Sequence, residues 1–152
     1  RRPADKCDFH YRSSVFQGNN EIVTSATVKL EKASRNEIRR NLLQILQDRS
    51  SKFPRKLPNC GSVFKSNPQM YNEIGTPGSA IERVGLKGFQ IGGAQISTIH
   101  ANFIVNTGAA TSTDVNALVA IARDKVAQAT GYTMEAEVLF VSPDGKISHA
   151  GT

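Results

Sequence analysis

Ser62 follows Cys60-Gly61 and opens a short apolar stretch, Val63-Phe64, behind a proline-rich loop. A serine hydroxyl there can donate a proton or bind a ligand oxygen, although a turn is the commoner setting for it. Glu137 lies in the run MEAEVLFV (134–141), read as a strand with Met134, Ala136, Val138 and Phe140 on one face. Glu137 shares the other face with Glu135, Leu139 and Val141. A carboxylate among apolar strand neighbours sits either at the rim of a sheet or in a site that tunes it, and pattern alone favours the rim. Lys52, Arg55, Lys56 and Lys65 border an irregular segment. They read equally well as a solvated basic loop or as a phosphate clamp, since Lys and Arg give charge-assisted bonds to phosphate oxygens.

Several chemistries are excluded. The glycines around Gly85–Gly93 lack the strand–GxGxxG–helix order of a dinucleotide fingerprint and the GK[ST] of a P-loop. No GxSxG or spaced His/Asp partner supports a hydrolase triad. His10, His100 and His149 are scattered, and Cys7 and Cys60 form no CxxC pair, so no metal site is expected. Free thiols suit a reducing compartment. No stretch reaches the roughly 18 apolar residues of a membrane helix.

The elements that must hold these groups follow from periodicity. The 152 residues suffice for one ordinary domain. Ile22, Ala26, Val28 and Leu30 predict a half-buried strand over 21–31. Ser34-Arg35-Asn36-Glu37 reads as a capping box, and Ile38, Leu42, Ile45 and Leu46 continue as an amphipathic helix to about Arg49. Residues 51–80 hold four of the six prolines and predict irregular, functional chain with a short strand at 62–65. A brief helix is expected at 81–84, and a central strand at 103–106. A second amphipathic helix, capped by Ser112 or Thr113, ends at Gly131. A last strand at 134–141 and a turn at 142–145 complete an α+β domain: a small mixed or antiparallel sheet with two main helices. Charge is uneven. Residues 1–56 carry 13 Lys+Arg against 6 Asp+Glu, and residues 57–152 carry 6 against 7. The basic front half attracts polyanions or phosphorylated small molecules.

Taken in order, several segments form a pattern: CDFHYRSSVF (7–16), PNCGSVFK (58–65), GLKG (85–88), IGGAQIS (91–97), HANFIVN (100–106) and EAEV (135–138). The series closely resembles the C-terminal half of the UDP-N-acetylenolpyruvoylglucosamine reductase (MurB) family, from about Cys7 to Val141. The resemblance implies that residues 1–33 are the last strands of an FAD-binding domain and residues 34–152 a substrate-binding domain. It implies a cytoplasmic bacterial flavoprotein that uses FAD and NADPH to reduce UDP-N-acetylglucosamine enolpyruvate to UDP-N-acetylmuramate. That reaction serves peptidoglycan synthesis, and through it cell wall biogenesis, cell shape and cell division. It also implies that this piece lacks most of its flavin site, is inactive alone, and has the missing FAD-binding part as its partner.

By the same resemblance, Arg12, with Tyr11 beside it, stabilises the negative charge that develops on the substrate carboxylate and enolate. Ser62 donates the proton to C2, and Glu137 assists. Lys52, Lys65, Asn67 and His100 are the nearest matches to the residues that hold the nucleotide. Lys56 competes with Lys52 for its place, because both lie ahead of the same Leu-Pro. The family's Phe-Lys-Asn-Pro reads here as Phe64-Lys65-Ser66-Asn67-Pro68, one residue longer, and Ser13 stands where the family usually has Asp.

The competing class is a non-catalytic module whose basic front half holds nucleic acid. The positive residues are not interleaved with exposed aromatics and no RNA-binding signature is present. Binding to random duplex DNA should therefore stay weaker than micromolar at physiological salt and fall steeply as salt rises. Submicromolar affinity in a fluorescence-anisotropy titration would favour the nucleic-acid module.

Overall fold

The apolar run Phe103–Asn106 forms β4, an inner strand of the main sheet in the computed structural model, which describes residues 1–10, 13–66 and 68–151. β4 pairs antiparallel with β1 (Asn59–Ser62) on one side and with β3 (Ala94–Ile96) on the other, and β2 (Gln90–Ile91) completes the order β1-β4-β3-β2. Ile96 is paired with Ile104 and Ala94 with Asn106. Ala94, Ile96 and Ile104 thus share a face, as the two-residue period of a strand demands. That face packs with Leu118, Val119, Ala122 and Val126 of α4 (Ser112–Thr130) in one buried cluster. All named strand pairs are antiparallel, as expected for the sheet.

The N-cap of α4 falls one residue before Ser112, the nearer of the two expected caps. Thr111 is the N-cap: its hydroxyl accepts from the Asp114 N–H, and the Asp114 carboxylate accepts from the Thr111 N–H. This reciprocal box satisfies two amides that the first turn leaves without partners. The bond from Thr111 holds the Asp114 carboxyl below its usual range. Gly131 ends the helix in the left-handed region, at φ +76°, where a side chain would be strained.

Residues 51–80 are less irregular than their prolines suggest. They carry α2 (Pro68–Glu73) and α3 (Pro77–Arg83). Pro77 stands in the first turn of α3, where a missing N–H removes no helical bond, and Thr76 caps it. The helix expected at 81–84 is the end of α3. The short strand begins three residues earlier than expected, at Asn59. Residues 134–141 form a regular strand only at β5 (Leu139–Val141), which pairs with β6 (Ile147–His149) across the expected turn. The even-numbered side chains still point inward, with Met134 and Ala136 buried and Leu139 and Val141 exposed.

The chain divides into two compact units, Arg1–Ile38 and Arg39–Thr152. In the first, Arg2 pairs with Glu21 at 2.7 Å and lies over the Phe16 ring, and Cys7 is buried. The strand expected over 21–31 does not form. The segment has no ladder partner among the described residues, and Ile22 is 87% exposed. An alternating pattern specifies a strand's face, but only a second edge can supply its hydrogen bonds. The helix expected to Arg49 runs on as α1 (Arg35–Lys52), with the Ser34 hydroxyl accepting from the Glu37 N–H. Its apolar residues stay exposed, between 43% for Leu46 and 56% for Ile45.

Gly93 is fixed by sterics. A Cβ there would stand 2.1 Å from the Gly108 carbonyl oxygen and 2.4 Å from the Ala110 nitrogen. Its carbonyl accepts from both the N–H and the hydroxyl of Thr107, so the β2–β3 turn cannot move away. Gly93→Ala should destabilise the second unit by about 1–3 kcal/mol or more, the range for overpacking a closed contact. Urea unfolding of both chains measures it.

Candidate active site

Strand β1 carries Ser62 and leads into Lys65. The backbone from Val63 to Lys65 is bonded on two sides. Toward β4, the Val63 N–H donates to the Asn102 carbonyl at 2.9 Å. Toward the segment that precedes β5, the Glu137 N–H donates to the Val63 carbonyl at 2.8 Å and the Lys65 N–H to the Glu135 carbonyl at 2.9 Å. Glu137 thus faces Val63 across this short ladder, Ser62 immediately precedes Val63 on the chain, and both Ser62 and Glu137 are half-buried. The Lys65 ammonium is ion-paired with Glu135, which pulls the Glu135 carboxyl below its usual range, chiefly through that hydrogen bond.

Asn102 organises this ladder. It is 3% exposed, and its side-chain oxygen accepts from the Phe64 N–H at 2.9 Å while its nitrogen donates to the Phe64 carbonyl at 3.0 Å. A buried amide that meets both polar groups of one residue satisfies itself and fixes that residue's position. Sequence reasoning placed Asn102 in a motif and gave it no role. Its signal was a polar residue at the head of the apolar run FIVN.

His100 belongs to an aromatic cluster. Its ring stacks on Phe53, with centroids 5.5 Å apart, and meets Phe103 edge-on at 5.1 Å. Arg49 of α1 lies over the other partner, 5.2 Å from the Phe53 centroid. The loop that carries His100 is held by Ser97, whose hydroxyl accepts from the N–H groups of Ile99 and His100. The His100 Nδ1 accepts from the Asn102 N–H at 3.2 Å, which makes the far nitrogen the protonated one in the neutral ring. Burial lowers the His100 pKa below its ordinary 6.5.

The other predicted residues stand apart or outside view. Lys52 and Lys56 are both exposed, at the end of α1 and in the loop after it. Tyr11, Arg12 and Asn67 lie outside the described residues. A cavity of about 580 Å³ opens between β1, the first turn of α4 and β5, lined among others by Asn59, Cys60, Asn106, Ser112 and Asn116. Ser62, Lys65, His100 and Glu137 are not among its lining residues. Burial raises the Cys60 thiol pKa.

The described residues do not form a flavin cradle. No buried side-chain polar atom among them lacks a partner. The closely crowded glycines face protein atoms: Gly92 meets Asp114, Gly93 meets Gly108 and Gly78 meets His100.

An antiparallel sheet backed by one long helix, its edge strand joined by a short ladder to the segment before β5, defines a small α+β module. Residues 53–141, more than half of the chain, match the model of the UDP-N-acetylenolpyruvoylglucosamine reductase C-terminal domain. The reductase of that name, number 1, from Corynebacterium glutamicum is 44% identical over 142 residues, which is 93% of this chain and 42% of that protein. The reductase from Synechococcus is 43% identical over 92% of this chain and 45% of its own length. The crystal structure of the Thermus caldophilus reductase superposes with a TM-score of 0.61 and 34% identity, over 88% of this chain and 45% of that one. This chain belongs to the UDP-N-acetylenolpyruvoylglucosamine reductase family. It spans under half the length of the curated relatives it matches.

The lowered His100 pKa has a sign that can be checked. An unfolded imidazole takes up its proton nearer 6.5 than the folded one does. The unfolded state therefore binds more protons once the pH drops below that value, and stability falls with pH there. The shifted carboxyls of Asp114, Glu135 and Asp144 all titrate below their ordinary values, in a more acidic window. The urea midpoint should decline between about pH 7 and pH 5, and His100→Phe, which keeps a ring in the cluster, should flatten that decline. An unchanged slope in the variant would assign the effect elsewhere.

Proposed function

We propose that this chain is the C-terminal part of a flavin-dependent reductase that converts UDP-N-acetylglucosamine enolpyruvate to UDP-N-acetylmuramate with NADPH. In this reading it acts in the bacterial cytoplasm, in the synthesis of peptidoglycan precursors on which cell wall, shape and division depend. Residues 34–152 form the substrate domain, and residues 1–33 end the FAD-binding domain. The observation that supports the reading is the ladder joining Val63–Lys65 to Glu135–Glu137, which links the motif that contains Ser62 to the motif that contains Glu137 inside the matched region. FAD is assigned to the part of the whole enzyme outside this chain, where it supplies the reducing chemistry when bound.

This chain's own residues then act on the substrate. Arg12 grips the substrate carboxylate bidentately and holds the negative charge that builds on the enolate, a task for which a permanently charged planar guanidinium is suited. Ser62 passes a proton to C2, and Glu137 assists. Serine is a weak acid, but a positioned one can protonate a basic enol carbon. Tyr11, Asn67, His100 and the lysines at 52 and 65 contribute to holding the nucleotide. The Lys65–Glu135 pair restrains the lysine, and an arriving diphosphate competes with Glu135 for it. The missing FAD-binding part as partner accounts for the apolar side chains left uncovered on α1 and over residues 22–30.

Ser62→Ala in the whole enzyme tests the assignment. Substrate binding and oxidation of NADPH should stay near the natural values, while reduction of the enolpyruvyl substrate slows about a hundredfold, as expected on losing a positioned acid. Ser62→Cys should recover part of the rate. Stopped-flow absorbance separates the half-reactions. Reduction at the natural rate in Ser62→Ala would move the proton donor to Glu137 or water.

A further inference from the structure

The register of β1 changes by one residue between Asn59 and Ser62. Asn59 is paired with Val105, and an unbroken antiparallel ladder would then set Gly61 against Phe103. The residue opposite Phe103 is instead Ser62. β1 therefore carries one extra residue over this stretch, which is a β-bulge. Gly61 has φ +86°, the left-handed backbone used by the glycine class of bulge.

The shift decides which way Ser62 faces. Paired residues of an antiparallel ladder point to the same face, and Phe103 and Val105 share one. Asn59 and Ser62 are three apart and would face opposite ways in a regular strand. With the bulge, both lie on the face of Phe103 and Val105, opposite the face that Ile104 presents to α4. Phe103 on that face carries the contact to His100.

The chain on both sides of the bulge is held. Asn59 donates through its side chain to the Pro54 and Leu57 carbonyls, and its Oδ1 accepts from the Gly61 N–H at 3.0 Å. Val63 and Phe64 are gripped by Asn102 and by the Glu137 N–H. A change in backbone at Gly61 can be absorbed only at Cys60 and Ser62. An added Cβ at Gly61 would meet nothing within 4 Å, so space does not explain the glycine. Conformation does.

We propose that Gly61 is a positioning residue for the reductase reaction: its left-handed backbone creates the bulge that turns Ser62 onto the face of the sheet that carries Phe103, where it can act as proton donor. The proposal rests on the reading of Ser62 as proton donor. In the whole enzyme, Gly61→Ala should slow reduction of the enolpyruvyl substrate about tenfold to a hundredfold, the scale of loss for an angstrom-sized misplacement. kcat should fall with little change in KM, and oxidation of NADPH should keep its rate. The solvent deuterium isotope effect on substrate reduction should rise, because the proton step becomes more rate-limiting. Gly61→Asn, which tolerates positive φ, should recover most of the rate. A full rate in Gly61→Ala with only a lower melting temperature makes the bulge merely structural and overturns the proposal, as does equal loss in both half-reactions. If Gly61→Ala does not fold, Gly61→Asn and Gly61→Asp decide, since both tolerate positive φ. Each should stay within about threefold of the natural chain, and losses beyond that in both overturn it. Ser62→Ala runs alongside. If it slows while Gly61→Ala does not, this proposal alone fails; if Ser62→Ala reacts at the natural rate, the donor assignment fails and this proposal with it.

Discussion

The two hydrogen bonds between the Asn102 amide and the Phe64 backbone hold the edge of the sheet to its centre. The regular β1–β4 pairing stops at Ser62, yet Val63 and Phe64 must continue into the core, where both are 1% exposed. Burying their backbone groups unpaired would cost about 1–3 kcal/mol for each one left unsatisfied. Asn102 meets the Val63 N–H with its own carbonyl and both Phe64 groups with its side chain. The strand can then leave one ladder and join the next, to Glu135 and Glu137, without exposing an orphan. The ladder to Glu135 and Glu137 is built on that crossover.

The two faces of the sheet are used differently. One is apolar and covered by α4, whose Leu118, Val119 and Val126 have no solvent exposure. The other carries Phe103 with the rings of Phe53 and His100, and α1 reaches this cluster through Arg49 over Phe53. The proposed proton donor would stand on the aromatic, partly polar face, with the helix-backed face behind it. Charge follows the same division. The acidic groups on the sheet edge are tied into short-range pairs, Lys65 with Glu135 among them. Exposed pairs of this kind contribute little to stability.

Much of this was legible in the residues. The α4 helix, its C-terminal glycine, the strand FIVN and the inward set of Met134 and Ala136 followed from period and capping chemistry, because local sterics and burial of a single face determine them. The half-buried strand expected over 21–31 does not form, and the apolar stripe of α1 forms a helix but is not buried. A pattern states what a segment needs and not whether a partner is present to meet it.

Ser62, Lys65, His100 and Glu137 could be picked from the motifs because residue type carries chemistry. Their geometry could not. The pairing of Lys65 with Glu135 spans seventy residues of chain, Asn102 reaches Phe64 across thirty-eight, and the stacking of Phe53 on His100 joins a helix end to a hairpin loop. Only tertiary structure closes such distances, since the contacts depend on which strands pair and in what register. The bulge at Gly61 shows the limit most plainly. The letters Cys60-Gly61-Ser62 allow a turn or a regular strand as readily as a bulge, and only the partner strand, by holding Asn59 to Val105 and Ser62 to Phe103, decides which face the serine takes.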